Sequence, residues 1–349
     1  MSLKNEITVK GRRIADDEPV YIIAEMACAH QGDVAQAMAL IDAAKDAQAD
    51  CVQLEIFRPA ANTAPTSDLY PILEGLNFTD DEWRQVMDHA RASGLAVSIF
   101  AYDEPSLELA LDLKPDMLKL NSSELANPHM IIGCAESGLP FTIGTGASTQ
   151  AEVRRAVDLS LAHGGDRMIL MHGVQNFPTP VEAANVRRIQ KLKDTFGGLV
   201  IFADHTDAAT DLSLYIDLAA IAMGAALIEK HIVLDRSKEG VDWQAALEPD
   251  ELKAYVSAMR QGWQALGPYD EQPFSEGDLK YRRFQKKSLV AARDLDAGHV
   301  LGADDVMFLR VQGEQEGIAP IDFAEKAEGK KLAHAMTKFA QILPQDLIG

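Results

Sequence analysis

The chain has 349 residues, of which 47% are hydrophobic, enough to bury a large core and leave material for a second small domain. Its 33 basic residues stand against 53 acidic ones, a formal charge of −20 that argues against an extended nucleic-acid or anionic-membrane surface but leaves room for a local cationic pocket. No apolar run approaches the roughly 20 residues that cross a bilayer, and MSLKNEITVKGRR lacks the apolar centre of a secretory signal, so the expectation is a cytoplasmic protein with no membrane contact.

From Val20 to Leu266, short apolar runs alternate with longer amphipathic segments. The runs are Val20 to Glu25, Cys51 to Phe57, Ala96 to Phe100, Met117 to Leu120, Pro140 to Gly144, Met168 to His172, Leu199 to Ala203 and Leu227 to His231. Between them Val34, Ala37, Met38, Ile41 and Ala44 share one helical face behind an Asp33 N-cap. Thr79 likewise precedes an acidic first turn, and Ser93-Gly94 reads as that helix's end. Eight such βα units predict a closed parallel (β/α)8 TIM barrel over residues 1–266.

The polar stretch 267–287 lacks sustained apolar periodicity and is predicted to be a linker. Beyond it, Leu289 to Ala292 and Val306 to Val311 alternate with turn signals such as Asp296-Ala297-Gly298. That pattern predicts a small strand-rich domain over 288–349, of a size that is marginal when folding alone. Cys28, Cys51 and Cys134 are odd in number and widely spaced, which fits buried free thiols and neither a disulfide framework nor a thiolate metal site. The paired acids Asp16-Asp17, Asp80-Asp81 and Asp304-Asp305 read as helix starts or solvated turns.

Loops that follow the strands build the active site of such a barrel, so Glu25, His172, His205 and His231 are expected at one mouth. A lone histidine at the end of an apolar run is usually structural. Closure of the barrel, however, makes the seventh, eighth and first strands neighbours and should gather His205, His231 and Glu25. Two imidazoles plus oxygen donors suit a first-row divalent ion such as manganese, iron or zinc.

Several segments then point to a family. YIIAEMACAHQGD ends the first run, LKLNSSE the fourth, NFPTP follows the sixth, and ADHT and EKHIVLDR carry the two histidines. From Ser288 the tail reads LVAARDLDAGHVLGADDVMFLR. In this order and spacing they resemble the sialic acid synthase family, phosphoenolpyruvate-dependent synthases of nonulosonic acids for surface polysaccharide, with a C-terminal antifreeze-like SAF domain.

The resemblance implies that phosphoenolpyruvate condenses with the open-chain aldehyde of an N-acylated hexosamine, that water attacks the former enol carbon, and that phosphate leaves with C–O cleavage. It implies His205 and His231 as ligands of a divalent metal, manganese by the family's habit, and Glu25 and Glu124 as catalytic carboxylates. Lys119, Ser122 and Gln175 match positions that bind phosphoenolpyruvate, and Asp242 matches an aspartate that contacts the sugar. Arg310 matches an SAF arginine that reaches the sugar's N-acyl group in the partner's barrel, which implies a domain-swapped homodimer.

Departures cluster around the phosphate. Gln53-Leu54-Glu55 stands where the family commonly has KFQ, replacing a lysine by an amide and a glutamine by a carboxylate. Ile99, Gly144 and Ala203 are read as standing where the family has hydroxyls, Gln175 where it has asparagine, and Phe177 where it has tyrosine. Exposed amides at Gly144, Gly146 and Gly173 offer an anion an alternative cradle, or serve tight turns. Two other readings therefore stay open: a metal-dependent sugar-acid aldolase or lyase, and a catalytically silent sugar-binding relative.

Overall fold

The computed structural model describes residues 2–268, 270–312 and 315–349. The chain folds as two compact units, Met1–Gly267 and Pro268–Gly349. Strands β1 (Glu6–Val9) and β2 (Arg12–Ala15) form a hairpin at the start of the first unit. Lys10 and Gly11 turn it, both with positive φ, the backbone that a tight two-residue hairpin loop requires.

Eight parallel strands follow: β3 (Tyr21–Glu25), β4 (Cys51–Ile56), β5 (Ala96–Ala101), β6 (Met117–Leu120), β7 (Phe141–Gly144), β8 (Met168–Gly173), β9 (Val200–Asp204) and β10 (Leu227–His231). They close in sequence order, with β10 against β3. The predicted barrel is present, and its strand limits lie close to the apolar runs.

Successive residues of a strand face opposite sides, so each barrel strand serves two cores. Tyr21, Ile23, Cys51, Met117, Ile169 and Ile201 fill the barrel's lower interior, and Ile7, Val9 and Ile14 of the hairpin join them there. Ile22, Ala24, Val52, Leu54, Leu118 and Val200 instead pack beneath the surrounding helices. Asp33 caps helix Val34–Asp46 by accepting from the Ala35 and Gln36 amides. Thr79 and Glu82 form a reciprocal cap for Asp80–Ser93, which ends at left-handed Gly94.

The same alternation splits the two histidine motifs. Lys230 and Asp204 are register partners that face outward, where Lys230 pairs with Asp204 and, at 3.2 Å, with Asp217. Tyr255 donates to Asp217 at 2.8 Å, tying helix Pro249–Leu266 to the same buried ion group.

The second unit has its own core, including Leu289, Leu301, Ile318, Leu332 and Ile342. Strand β11 (Lys287–Ala291) pairs antiparallel with β12 (Val306–Arg310), and β13 (Lys331–Leu332) with β14 (Leu347–Ile348). The stretch predicted as a linker contains a helix, Glu276–Gln285, capped by Ser275 and Asp278 and without a buried residue. Its lack of an apolar stripe is why no periodicity marked it. Asp304-Asp305 lies at a helix start as expected, in the 3-10 turn Ala303–Asp305, but Asp305 is buried and holds Arg293 at 2.5 Å and His299 at 2.8 Å. All three cysteines are free and buried.

Candidate active site

The inward-facing polar residues stand at the carboxyl ends of the barrel strands. Register places Glu25 beside His231 on one side and beside Gln53 on the other. Gln53 in turn sits beside Ser98, and Lys119 beside Phe100. Glu25, His231, Lys119 and Phe100 open onto a cavity of about 120 Å³, while Gln53 and Ser98 are fully buried and do not line it.

Lys119 is its electrostatic centre. The ammonium lies 2.7 Å from Glu229 and 3.0 Å from Glu25, over the face of Phe100 at 4.4 Å. Burial works against this charge, but Glu229 and Glu25 outweigh it and raise the Lys119 pKa. Gln53 donates through Nε2 to both Glu25 and Glu229, and its carbonyl accepts from Ser98 at 2.8 Å. The amide at position 53 is thus a fully engaged member of a buried network.

Glu25 also accepts from the Ala27 amide at 2.8 Å, with Ala27 held at φ +44°, a left-handed conformation that an alanine rarely adopts. Burial pushes the Glu25 carboxyl up to about 7, with Lys119 opposing and Glu229 reinforcing the shift. Burial, then the charge of Glu25, pushes Glu55 up to about 8. Both are therefore poised to hold a proton near neutral pH.

His205, Glu229 and His231 bring one donor atom each within 4.8 Å of one another, a group that can hold a metal ion. His205 Nδ1 donates to the Val174 carbonyl at 2.7 Å, which leaves Nε2 with a free lone pair for the cation. Burial lowers the pKa of His205 and holds His231 well below the usual range, so both imidazoles are neutral, the form that coordinates. Each Glu229 oxygen carries two lone pairs and can accept a hydrogen bond while binding an ion. The donor chemistry fits a first-row divalent metal. Phe177 walls this group, its ring centre 4.3 Å from that of His205 and 5.8 Å from that of His231.

The expected residues divide clearly. Glu25, Lys119, Ser122, Gln175, Asp242, His205 and His231 all line the cavity. Glu124 does not; its carboxylate accepts from Asn127 at 2.8 Å and Ser123 at 3.2 Å within the turn that follows β6. Arg310 lies exposed on β12 of the second unit, register partner of Lys287. The acid grouped with the imidazoles is Glu229, where Glu25 was expected; Glu25 stands one step away, engaged by Lys119 and Gln53.

Two further expectations fail on strand parity. His172 shares the outward face of β8 with Met168 and Leu170 and donates to the Ala184 carbonyl at 2.9 Å, away from the mouth. Ile99 lies inside β5 and packs on the helix side, whereas Phe100 and Tyr102 supply that strand's cavity positions. Gly144 and Ala203 do line the cavity. At Gly144 a β-carbon would come within 2.3 Å of Ser122 Oγ, so close approach to that serine explains the glycine.

Comparison with known proteins agrees with this architecture. The NeuB family model matches residues 40–271, and the SAF domain model matches 286–348. The chain belongs to the NeuB family. Among its relatives is the N,N'-diacetyllegionaminic acid synthase of Legionella pneumophila, 30% identical over 87% of this chain and 88% of that protein. The N-acetylneuraminate-9-phosphate synthase of Drosophila melanogaster is 30% identical over 99% of this chain and all of that one (100%). A crystal structure of N-acetylneuraminic acid (sialic acid) synthetase from Leptospira borgpetersenii, in complex with citrate, superposes with a TM-score of 0.74 at 26% identity, covering 80% of this chain and 97% of that one.

Proposed function

We propose that this NeuB-family chain is a nonulosonic acid synthase that joins phosphoenolpyruvate to the open-chain aldehyde of an N-acylated hexosamine. The methylene carbon of phosphoenolpyruvate forms the new bond to the aldehyde carbon. Water adds to the former enol carbon, and phosphate departs with cleavage of its C–O bond.

A divalent ion held by His205, His231 and Glu229, in our reading manganese, supplies Lewis acidity toward the aldehyde oxygen. Glu25 is suited to give that oxygen its proton, because its carboxyl is pushed up to about 7 and fixed by the Ala27 amide. Lys119 offers the phosphoenolpyruvate carboxylate or phosphate a counter-charge, and Ser122, just past the end of the same strand, a hydroxyl. Asp242 is assigned to contact with the sugar.

The observation that carries this reading is the gathering of two neutral imidazoles, a proton-holding Glu25 and an ammonium in one cavity of a NeuB-family barrel. Its test is incubation of metal-stripped protein with phosphoenolpyruvate, added manganese and a panel of N-acyl hexosamines, following both phosphate and the new sugar acid. Silence across the panel overturns it.

One feature favours a second reading, a metal-dependent sugar-acid aldolase: Lys119 is the only lysine or arginine among the described cavity residues, and it already engages two carboxylates. Release of pyruvate from a sugar acid, without phosphate, would select that reading.

We further propose a domain-swapped homodimer in which Arg310 of one subunit serves the other's barrel. The exposed residues Phe308, Leu309 and Arg310 at the end of β12 support such a contact. Three free cysteines favour a reducing compartment, the cytoplasm. Among the described residues, no helix is long and apolar enough to cross a membrane.

A further inference from the structure

Four carboxylates and a single ammonium line the cavity. Glu25 and Glu229 are served by the protein itself, since Lys119 and Gln53 each donate to both. Glu55 and Asp242 are not served in this way.

Glu55 is only 9% exposed, and its Oε1 receives nothing stronger than the Cys28 thiol at 3.4 Å. Among the described residues, no donor reaches its Oε2. Asp242 makes no side-chain hydrogen bond or ion pair among the described residues, and it is presented from a left-handed backbone, φ +58°. Asp242 also contributes to the charge felt at Glu55, so the two share one electrostatic neighbourhood.

A carboxylate removed from water without a donor is unfavourable, and a ligand that brings positive charge relieves it. Phosphoenolpyruvate is an anion and would be repelled there. The metal donors lie in a different group, His205, Glu229 and His231. What remains is the acceptor.

We propose that Glu55 and Asp242 form a subsite for a free ammonium group on the acceptor, which is then an N-acyl hexose aldehyde with one amine left unacylated. The proposal rests on the synthase reading for the acceptor's class. It also gives the carboxylate at position 55 a role that an amide would fill poorly, because an ammonium needs an anionic acceptor. Burial, then Glu25, pushes Glu55 up to about 8, so docking an ammonium near neutral pH releases a proton from Glu55.

The test is calorimetric titration of the manganese-loaded protein with matched hexosamine aldehydes, one amine free in the first and both acylated in the second. The free amine should bind about ten- to a hundredfold more tightly, with proton release seen as a dependence on buffer ionisation enthalpy. Glu55→Gln should remove both the preference and the proton release; should that variant fail to fold, Asp242→Asn should weaken the preference. Equal binding of the two sugars by the wild-type protein overturns the subsite. So does a second equivalent of manganese that Glu55→Gln abolishes, which would assign the pair to a cation of the other kind. Phosphate release measured alongside separates the two ideas: turnover without amine preference sinks the subsite alone, and amine preference without turnover sinks the synthase reading alone.

Discussion

Glu229 and His231 stand two residues apart on β10, and both face the interior while Lys230 between them faces the helices. One five-residue strand therefore supplies part of a candidate metal group on one side and a structural ion group on the other. The two sides fail in different ways when changed.

On the inner side, His205→Ala or His231→Ala should abolish stoichiometric manganese uptake. Glu229→Gln keeps the shape but weakens a donor, and should lower affinity by about 10- to 100-fold. Metal content of purified protein and titration calorimetry check both. Unchanged manganese in the two histidine variants contradicts the assignment.

On the outer side, Lys230→Met would leave Asp204 and Asp217 buried without their cation. Breaking a buried pair in this way costs on the order of 3–5 kcal/mol, measurable by urea denaturation. Adding Asp217→Asn should recover part of the loss, because Asp217 is already pushed up to about 7 by burial and one of its oxygens has no partner.

Gln53→Lys should strengthen phosphoenolpyruvate binding. The residue is buried against Glu25 and Glu229, which line the cavity, so an ammonium there has carboxylate partners in the resting state and offsets their negative charge toward an incoming anion. A new charge-assisted hydrogen bond to the anion is worth about 10- to 100-fold in affinity, read as a fall in the KM for phosphoenolpyruvate. A rise in KM would show that Gln53 acts by holding the network in place.

Stability should depend on pH through the buried carboxyls. Glu55 is pushed up to about 8 and Glu25 to about 7, both from an ordinary 4.5, so across that window the folded chain keeps protons that the unfolded chain has lost. Their contribution is full below about 4.5 and disappears as pH rises through 7 and then 8, at a limit of about 1.4 kcal/mol per pH unit for each proton. Denaturation between about pH 5 and pH 8 should show this fall, and Glu55→Gln should flatten its upper part. A flat profile for the wild-type protein would contradict the raised values.

The barrel could be read from the chain because its strands are apolar on both faces and the helices between them keep their caps, as at Asp33 and Thr79. Parity within a strand was harder. His172 and His231 both end apolar runs, yet one faces helices and the other the cavity, and only the pairing register tells them apart. Glu229 carried a usable signal, its two-residue spacing from His231, which the motif EKH displays but which the run's apolar texture obscured. The hairpin also had its signal, ITV and RRI around Lys10-Gly11. Glu55 and Gln53 lie two apart on β4 and were visible as substitutions, but their partners come from β3 and the loop after it, β5 and β10, neighbours that no local pattern encodes.

The hairpin has a kinetic corollary. With Ile7, Val9 and Ile14 stoppering one end of the cylinder, every reactant and product shares a single doorway. Whatever sits deepest must arrive before its companion and depart after it, so turnover should follow a compulsory order, visible as the inhibition pattern that each product imposes on each substrate.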